Sequence, residues 1–289
     1  MNFKEFQKSQ LNEVLITFGN QAYPKFGQVV ILAGGAGSGK GFIKNKLLGI
    51  EGITLDVDRL KELAMASNIV ATRIKRETGY NINKFDMKNP ENVSKIHSLL
   101  SAAGTIKGQQ KKVFTGIMTA DKDRKPNLIF DVTLKDMNKV VQIATQADML
   151  GYDVKNIHLV WVMNDINVAM KQNKERSRVV PENILVQTHD GASWTMKKLM
   201  AMGEGMRNYL DGDMWISFNK AGVDTDVVKS ANKGMYISKA NVLKIKQKGK
   251  APKRVTELED DVIAKIAAYA PNSDTWAMAL GKKDISNEK

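Results

Sequence analysis

The sequence predicts an α/β fold in which a doubly wound parallel sheet is flanked by helices and followed by a C-terminal extension. Three observations support this prediction. Short apolar runs of buried-strand length alternate with stretches of helical spacing. Three of these runs lead directly into glycine-rich or acidic segments, as expected where ligands bind at the carboxyl edge of a parallel sheet. Beyond about residue 220 the chain becomes strongly basic and loses the alternation.

The predicted elements follow this alternation along the chain. An amphipathic helix is expected near residues 3–18, and the last helix is expected to begin at Thr256, with Glu259 completing a capping box. Strands are predicted at 29–32, 53–58, 127–131, 157–163 and 214–218, and helices after the first strand, over much of 59–125, at 135–150 and at 181–210 with Gly191 as a break. We expect three units, namely 1–24 as an N-terminal helix, 25–219 as the core, and 220–289 as a basic extension ending in a helix.

The first strand runs directly into a glycine-rich segment that ends in a lysine. Residues 29–40 read VVILAGGAGSGK. Glycines allow backbone N–H groups to turn toward an anion, and the lysine ammonium can reach the β- and γ-phosphates of a nucleotide. An ordinary glycine turn between a strand and a helix is the alternative. We predict a phosphate-binding loop of the P-loop type, made of Gly34, Gly35, Ala36, Gly37, Ser38, Gly39, Lys40 and Gly41.

The position after the lysine departs from the usual P-loop pattern. Gly41 stands where Ser or Thr normally contacts magnesium. The loop resembles that of adenylate-kinase-like enzymes, which also read G-K-G, although they continue with Thr where this chain has Phe42. Magnesium would then be held largely through water and the phosphates. The expected cofactors are Mg²⁺ and either ATP or GTP as the phosphate donor.

Acidic residues follow the second and third predicted strands. Asp56 and Asp58 are two residues apart and share one face of a strand. A carboxylate at the end of that strand could accept the proton of a substrate hydroxyl as it attacks the γ-phosphate, or it could cap the helix that starts at Arg59. Asp131 could hold magnesium or its water, or cap a turn with Thr133.

Two basic segments lie further along the chain. Lys171, Lys174, Arg176 and Arg178 precede a Val-Val-Pro sequence. An arginine on a closing segment would stabilise a phosphoryl group in transfer, whereas a solvated turn would have the same composition. Residues 239–254 hold seven positive residues and no acid. This basic run would either bind nucleic acid through its phosphates or form a flexible linker.

Composition narrows the functional classes. The chain has no cysteine, which excludes disulfides, thiol catalysis and cysteine-based zinc sites. Its three histidines show no metal-ligand spacing, and His158, inside an apolar strand, is expected in the core. The methionines at 196–206 indicate helix packing. A net charge of +13 favours acidic partners, and the lack of a long apolar run predicts a cytoplasmic protein without a membrane span.

Taken together, residues 25–210 resemble the zeta-toxin family of P-loop kinases. The shared order is a glycine loop, a hydrophobic-D-x-D segment, a strand ending in Asp131 to Lys135 where the family has E-G-T-L-R-like residues, and Arg178 shortly before Pro181. The resemblance implies transfer of a γ-phosphate to a hydroxyl, with Asp58 as the base. It also implies that Arg176 and Arg178 neutralise the moving group and that Asp56, Asp131 and Lys135 contact substrate. An antitoxin-like protein partner is compatible with it, although no segment indicates one.

The sequence therefore predicts a kinase that transfers the γ-phosphate of ATP or GTP to a hydroxyl of a nucleotide-like or nucleotide-sugar small molecule. Two alternatives stay open. The basic run favours an RNA- or DNA-end kinase. Gly41 and Phe42 favour a nucleotide-binding protein without robust catalysis that acts through a partner.

Overall fold

The structure, a computed structural model, describes residues 16–56, 66–230, 234–271 and 276–278. Within these ranges, side chains are not described for residues 105–107, 109–110, 230 and 234–235. Most of the helix predicted at 3–18 lies outside the described residues, and its last three residues are not helical, because Ile16 and Phe18 form β-bridges with Leu48 and Gln21. Asp58 also lies outside the described residues.

A six-stranded sheet forms the centre of the described part of the chain. The described residues form eight strands, β1 (Val29–Ala33), β2 (Ile53–Asp56), β3 (Leu128–Val132), β4 (Ile157–Met163), β5 (Met214–Phe218), β6 (Asp226–Ser230), β7 (Gly234–Lys239) and β8 (Asn241–Lys246). Six of them make this sheet, and β6 and β7 pair with each other in a separate two-stranded sheet. The sheet order is β2-β3-β1-β4-β5-β8, and all of its neighbours are parallel except β8 beside β5. The chain leaves β1 to one side for β2 and β3 and to the other for β4 and β5. A crevice for ligands is therefore expected at the carboxyl end of β1.

Helices cover both faces of this sheet. The described residues contain α1 (Lys40–Lys46), α2 (Asn68–Thr78), α3 (Pro90–Ala102), α4 (Thr105–Met118), α5 (Met137–Met149), α6 (Ile166–Glu175), α7 (Glu182–Ala201) and α8 (Asp260–Tyr269). None of these helices has the length and apolar character needed to cross a lipid bilayer. The predicted fold class, a doubly wound parallel sheet flanked by helices, is confirmed.

Local sequence signals explain several of these boundaries. Asn89 caps α3, because its side chain accepts a hydrogen bond from Glu91 N and Pro90 occupies the first turn. Gly191 does not interrupt α7, contrary to the prediction. A Cβ at this glycine would lie 2.6 Å from the carbonyl oxygen of Lys135. Glycine there allows α7 to pack closely against the segment after β3.

Three hydrophobic clusters hold the layers together. The side chains of β1 alternate between the two faces of the sheet and are all fully buried. One face packs against α5, α7 and α8, and the other against α1. The third cluster lies within the helical segment and contains Ala71, Ile74, Ile82, Ile96, Leu99 and Leu100. Each large aliphatic side chain buried in this way stabilises the fold by about 1.5–3 kcal/mol.

The basic extension joins the core directly. β8 pairs with β5 from Asn241 opposite Phe218 to Lys246 opposite Met214. The predicted boundary after residue 219 therefore falls between two strands of one sheet, and residues 241–246 are not a flexible linker. The last helix does not begin at Thr256. That residue lies in a 3₁₀ turn, Val255–Glu257, and α8 begins at Asp260.

Candidate active site

The glycine loop connects β1 to α1 at the carboxyl edge of the sheet. Gly37 and Gly39 have φ angles of +77° and +89°, in the left-handed region that favours glycine. A Cβ on Gly35 would collide with the ring of His189, and one on Gly39 would collide with the side-chain amide of Asn219. The loop therefore requires glycine both for its backbone angles and for the close approach of two side chains.

Side chains from distant parts of the chain hold this loop. Thr188 Oγ1 accepts a hydrogen bond from Ala36 N at 3.1 Å, and the His189 Nε2–H donates to Ala36 O at 2.8 Å. Asn219 Nδ2 donates to Ser38 O at 3.0 Å. Burial holds the pKa of His189 below its usual value, so the ring is neutral near pH 7. The loop is thus held by neutral hydrogen bonds from α7 and from the segment after β5.

Lys40 lies beside Asp131 at the base of the site. Its Nζ donates to Gly34 O at 2.8 Å and lies 3.7 Å from Asp131 Oδ1. Asp131 is opposite Leu32 on β1 and opposite Asp56 on β2, so the parallel register brings the acids and the loop together. The side chains of Lys40 and Asp131 are 14% and 15% exposed, which leaves both accessible from the cleft.

The loop opens into a cleft of about 900 Å³. This volume is near the upper end of the range for small-molecule sites. The predicted residues that line the cleft are Ala36, Gly37, Ser38, Gly39, Lys40, Gly41, Asp56, Asp131, Lys135, Arg176 and Arg178. Gly34 and Gly35, at the start of the loop, are not among the residues that line the cleft. Their carbonyl oxygens accept hydrogen bonds from Lys40 Nζ.

The arginine segment, residues 176–181, forms part of the cleft wall, and hydrogen bonds to its backbone hold it in place. Asn173 is fully buried; its Nδ2 donates to Val180 O at 2.7 Å and its Oδ1 accepts from Val180 N at 3.0 Å. Val179 N donates to Met87 O at 3.1 Å. The two arginines of this segment therefore stand on a turn that is tied both to α6 and to the chain just before α3.

One of the two described non-glycine residues with a positive φ lies just after β3. Leu134 has a φ of +53°, a left-handed conformation that costs an ordinary residue about 1–2 kcal/mol. The Leu134 side chain is buried, and both neighbours, Thr133 and Lys135, line the cleft. The strained turn therefore places two polar side chains in the cleft.

Two groups of residues at the cleft and around the loop were not predicted from the sequence. The first is the polar face of α3, where Ser94, His97 and Ser98 line the cleft at i, i+3 and i+4 spacing. That spacing was a readable signal. The residues of the second group form hydrogen bonds with loop residues that lie 152 to 181 positions earlier in the sequence, so no local sequence pattern indicates them. Its members are Thr188, His189 and Asn219.

The amino edge of the sheet holds a second set of charged residues, and there they are buried. Asp213 is 1% exposed and accepts hydrogen bonds from Gly19 N at 2.6 Å and Lys248 N at 3.0 Å. His158 Nδ1 accepts from Asp213 N, while its Nε2–H donates to Gln28 Oε1. Burial holds the pKa of His158 well below its usual 6.5, although the nearby Asp213 carboxylate opposes this shift. His158 is a neutral core residue, as its place in an apolar strand predicts.

Part of the basic run lies at this amino edge. Lys246 is almost fully buried 3.5 Å from Asp211, and Lys244 lies 3.4 Å from Asp213. Lys248 Nζ donates to Asn156 Oδ1 at 2.6 Å. The seven positive residues thus divide into three with structural contacts, Lys244, Lys246 and Lys248, and four that are exposed, Lys239, Lys250, Lys253 and Arg254.

Comparison with known proteins finds similarity in solved structures. No family model and no curated protein matches the chain. A chain from the PezAT chromosomal toxin–antitoxin system of Streptococcus pneumoniae is 12% identical, with 76% of this chain and 78% of that chain covered and a TM-score of 0.37. A chain of the AvrRxo1-ORF1:AvrRxo1-ORF2 complex, solved with sulphate ions, is 11% identical, with 89% and 76% covered and a TM-score of 0.46. A chain of the same complex solved with ATP is 10% identical, with 90% of this chain and 77% of that chain covered and a TM-score of 0.42. These are distant similarities of fold.

Proposed function

We propose that this zeta-toxin-like chain is a P-loop kinase that transfers the γ-phosphate of ATP or GTP to a hydroxyl group of a nucleotide-like or nucleotide-sugar small molecule. One observation supports the proposal above all. A single cleft gathers the glycine loop, acids from two neighbouring strands and two arginines on a pinned turn. Phosphoryl transfer needs these groups together, because it depends on positioning and on stabilising negative charge.

The cationic residues would bind the donor triphosphate. Lys40 would contact the β- and γ-phosphates from the base of the cleft, while the backbone N–H groups of the loop surround them. Arg176 and Arg178 would neutralise the phosphoryl group during transfer. Their pinned turn reduces the conformational entropy that the enzyme would otherwise lose on positioning them.

The acidic residues would act on the acceptor. Asp56 lines the cleft opposite Asp131, so β2 delivers an acid to the site. We assign the general base to Asp58, which follows two residues later in the sequence and lies outside the described residues. A carboxylate there would accept the hydroxyl proton as the acceptor oxygen attacks phosphorus.

The donor set fits magnesium that is bound mainly through the triphosphate. Asp131 places a carboxylate beside Lys40, and Gly41 provides no hydroxyl. Magnesium commonly keeps several waters and binds through one or two carboxylates together with substrate phosphates. Asp131 would hold the ion directly or through water. When bound, magnesium would neutralise part of the phosphate charge.

The proposal is tested with the full chain, Mg²⁺ and γ-labelled ATP or GTP against separate pools of nucleotides, nucleotide sugars and RNA. We expect label on a small molecule, and a loss of about 10²–10³-fold in Lys40→Met because a phosphate contact is removed. Lys46→Met is the matched control, since Lys46 is exposed on the same helix and does not line the cleft. Label on RNA alone would support an end kinase instead. Nucleotide binding without any label transfer would support a non-catalytic binding protein.

A further inference from the structure

The first residue after β5 contacts the glycine loop from the core side. Asn219 is 8% exposed, and its Nδ2 donates to Ser38 O at 3.0 Å. Its backbone N–H donates to Met163 O at 2.8 Å, which anchors the residue to β4. The same amide group occupies the space that a Cβ on Gly39 would need. Asn219 thus joins the sheet to the two loop residues that precede Lys40.

The orientation of the Asn219 amide is set by its neighbours. Thr225 Oγ1 donates to Asn219 Oδ1 at 3.1 Å, which leaves the amide nitrogen to face the loop carbonyl. Thr225 closes a tight turn, in which Asp224 N donates to Lys220 O at 2.7 Å. Any movement of this turn would therefore change the direction of the amide.

Asp224 ties that turn to β8 and α8, which lie further along the C-terminal extension. Its carboxylate is fully buried and accepts from Tyr269 Oη at 2.6 Å and from Asn241 Nδ2 at 3.2 Å, and it forms an ion pair with Lys265. Burial alone would raise the pKa of Asp224, but the hydrogen bonds from Lys265 and Tyr269 hold it below its usual value. These three partners come from β8 and α8, so the extension holds the turn.

We propose that Asn219 is a positioning residue for the glycine loop and that the extension, through Asp224 and Thr225, holds Asn219 in place. This inference rests on the proposed nucleotide site. Loss of the Asn219 donor leaves Ser38 O without this partner and frees the loop near Lys40. A loop that is less well ordered before binding loses more entropy when it grips a triphosphate, so affinity falls.

The test compares Asn219→Ala with Asn127→Ala in the full chain. Asn127 is also buried and also donates to backbone carbonyls, of Pro24 and Glu51, but at the amino edge of the sheet. Both variants are expected to lose similar thermal stability. Only Asn219→Ala is expected to speed amide hydrogen exchange of the 34–43 segment without nucleotide and to weaken calorimetric ATP affinity about tenfold. Asn219→Asp should act like the alanine variant, since it keeps the shape but lacks the donor.

Each outcome decides the inference. Unchanged exchange and unchanged affinity in Asn219→Ala would overturn it, and so would equal changes in Asn127→Ala. If Asn219→Ala does not fold, Thr225→Val takes its place. That variant removes only the orienting hydroxyl, so faster exchange of the 34–43 segment would support the inference and unchanged exchange would overturn it. If the unmodified chain binds no ATP, the proposed function fails, and the exchange measurement alone decides whether Asn219 positions the loop.

Discussion

The amino and carboxyl edges of the central sheet both carry aspartate and lysine side chains, but these are buried at the amino edge and accessible from the cleft at the carboxyl edge. At the amino edge, Asp213 and Lys246 are almost fully buried, and each has an ion-pair partner: Lys244 for Asp213 and Asp211 for Lys246. At the carboxyl edge, Lys40 and Asp131 stand 3.7 Å apart at the base of an open cleft of about 900 Å³. Burial of a charge costs free energy unless partners replace the lost water, so the first set is structural. The second set can still exchange water for a ligand. Access to the cleft, rather than residue type, distinguishes the two sets.

The largest expected effect belongs to Asp58, the proposed general base. Asp58→Asn should lower turnover by about 10²–10⁴-fold while ATP affinity stays nearly unchanged, because an amide cannot accept the hydroxyl proton. Steady-state kinetics and calorimetry measure the two quantities. Asp148→Asn, an exposed position on α5, is the control. Unchanged turnover in Asp58→Asn would remove this residue from the mechanism.

The next effect belongs to the amino edge. Asp213→Ala should lower the free energy of unfolding by about 3–5 kcal/mol, because it leaves buried donors and the Lys244 charge without a partner. Activity per folded molecule should not change. Urea denaturation and specific activity test this pair of expectations. A variant that lost turnover but kept its stability would contradict the division between the two edges.

The pH dependence of the free energy of unfolding tests whether buried His158 contributes to stability. The pKa of His158 is held below 6.5 in the folded state, so the unfolded chain takes up the proton first. The stability contributed by the neutral ring is therefore fully present above pH 6.5 and is lost as the pH falls below it, by at most about 1.4 kcal/mol per pH unit. His158→Gln should flatten this part of the stability profile. If the free energy of unfolding decreases equally steeply in both proteins between pH 6.5 and 5, groups other than His158 cause that decrease.

The smallest effect is expected for the exposed part of the basic run. Lys250→Ala combined with Lys253→Ala should change stability by no more than about 0.5 kcal/mol and leave small-molecule phosphorylation unchanged. The polynucleotide alternative predicts instead a loss of activity on RNA that is largest at low salt and shrinks as the salt concentration rises, because the lost lysines contribute only through phosphate contacts that salt weakens. Assays on both acceptors at two salt concentrations distinguish these outcomes. Deletion of the run would not, because it removes β8 from the central sheet.

The elements around the loop were predictable because their signals are local. An apolar run, a glycine segment and a lysine define β1, the loop and α1, and the runs predicted as strands at 127–131, 157–163 and 214–218 correspond to β3, β4 and β5. The parallel order of these strands then brings their carboxyl ends to one edge. For this reason Lys40 and Asp131 could be assigned to one edge of the sheet from sequence, whereas Arg178 was assigned to the site through the family resemblance.

The remaining features depend on tertiary contacts that no short window shows. The basic run was interpreted from its charge, yet Val242, Leu243 and Ile245 within it carry the apolar pattern of β8. Lys246 is tolerated in the interior because its Nζ donates to Gly212 O at 2.7 Å and lies 3.5 Å from Asp211 Oδ1. Likewise, Gly191 suggested a helix break, although its actual role is close packing against Lys135.

Placing β8 and α8 within the core has a practical consequence for how this chain is expressed and screened. A fragment that stops near residue 219 would keep every recognisable motif but would lack Asp224 and its partner Tyr269, 45 positions further on. It would also leave β5 as an open strand edge, which invites aggregation. Inactivity of such a fragment would carry no information about chemistry, so expression boundaries should extend at least through Trp276, which stacks on Trp161 in the core.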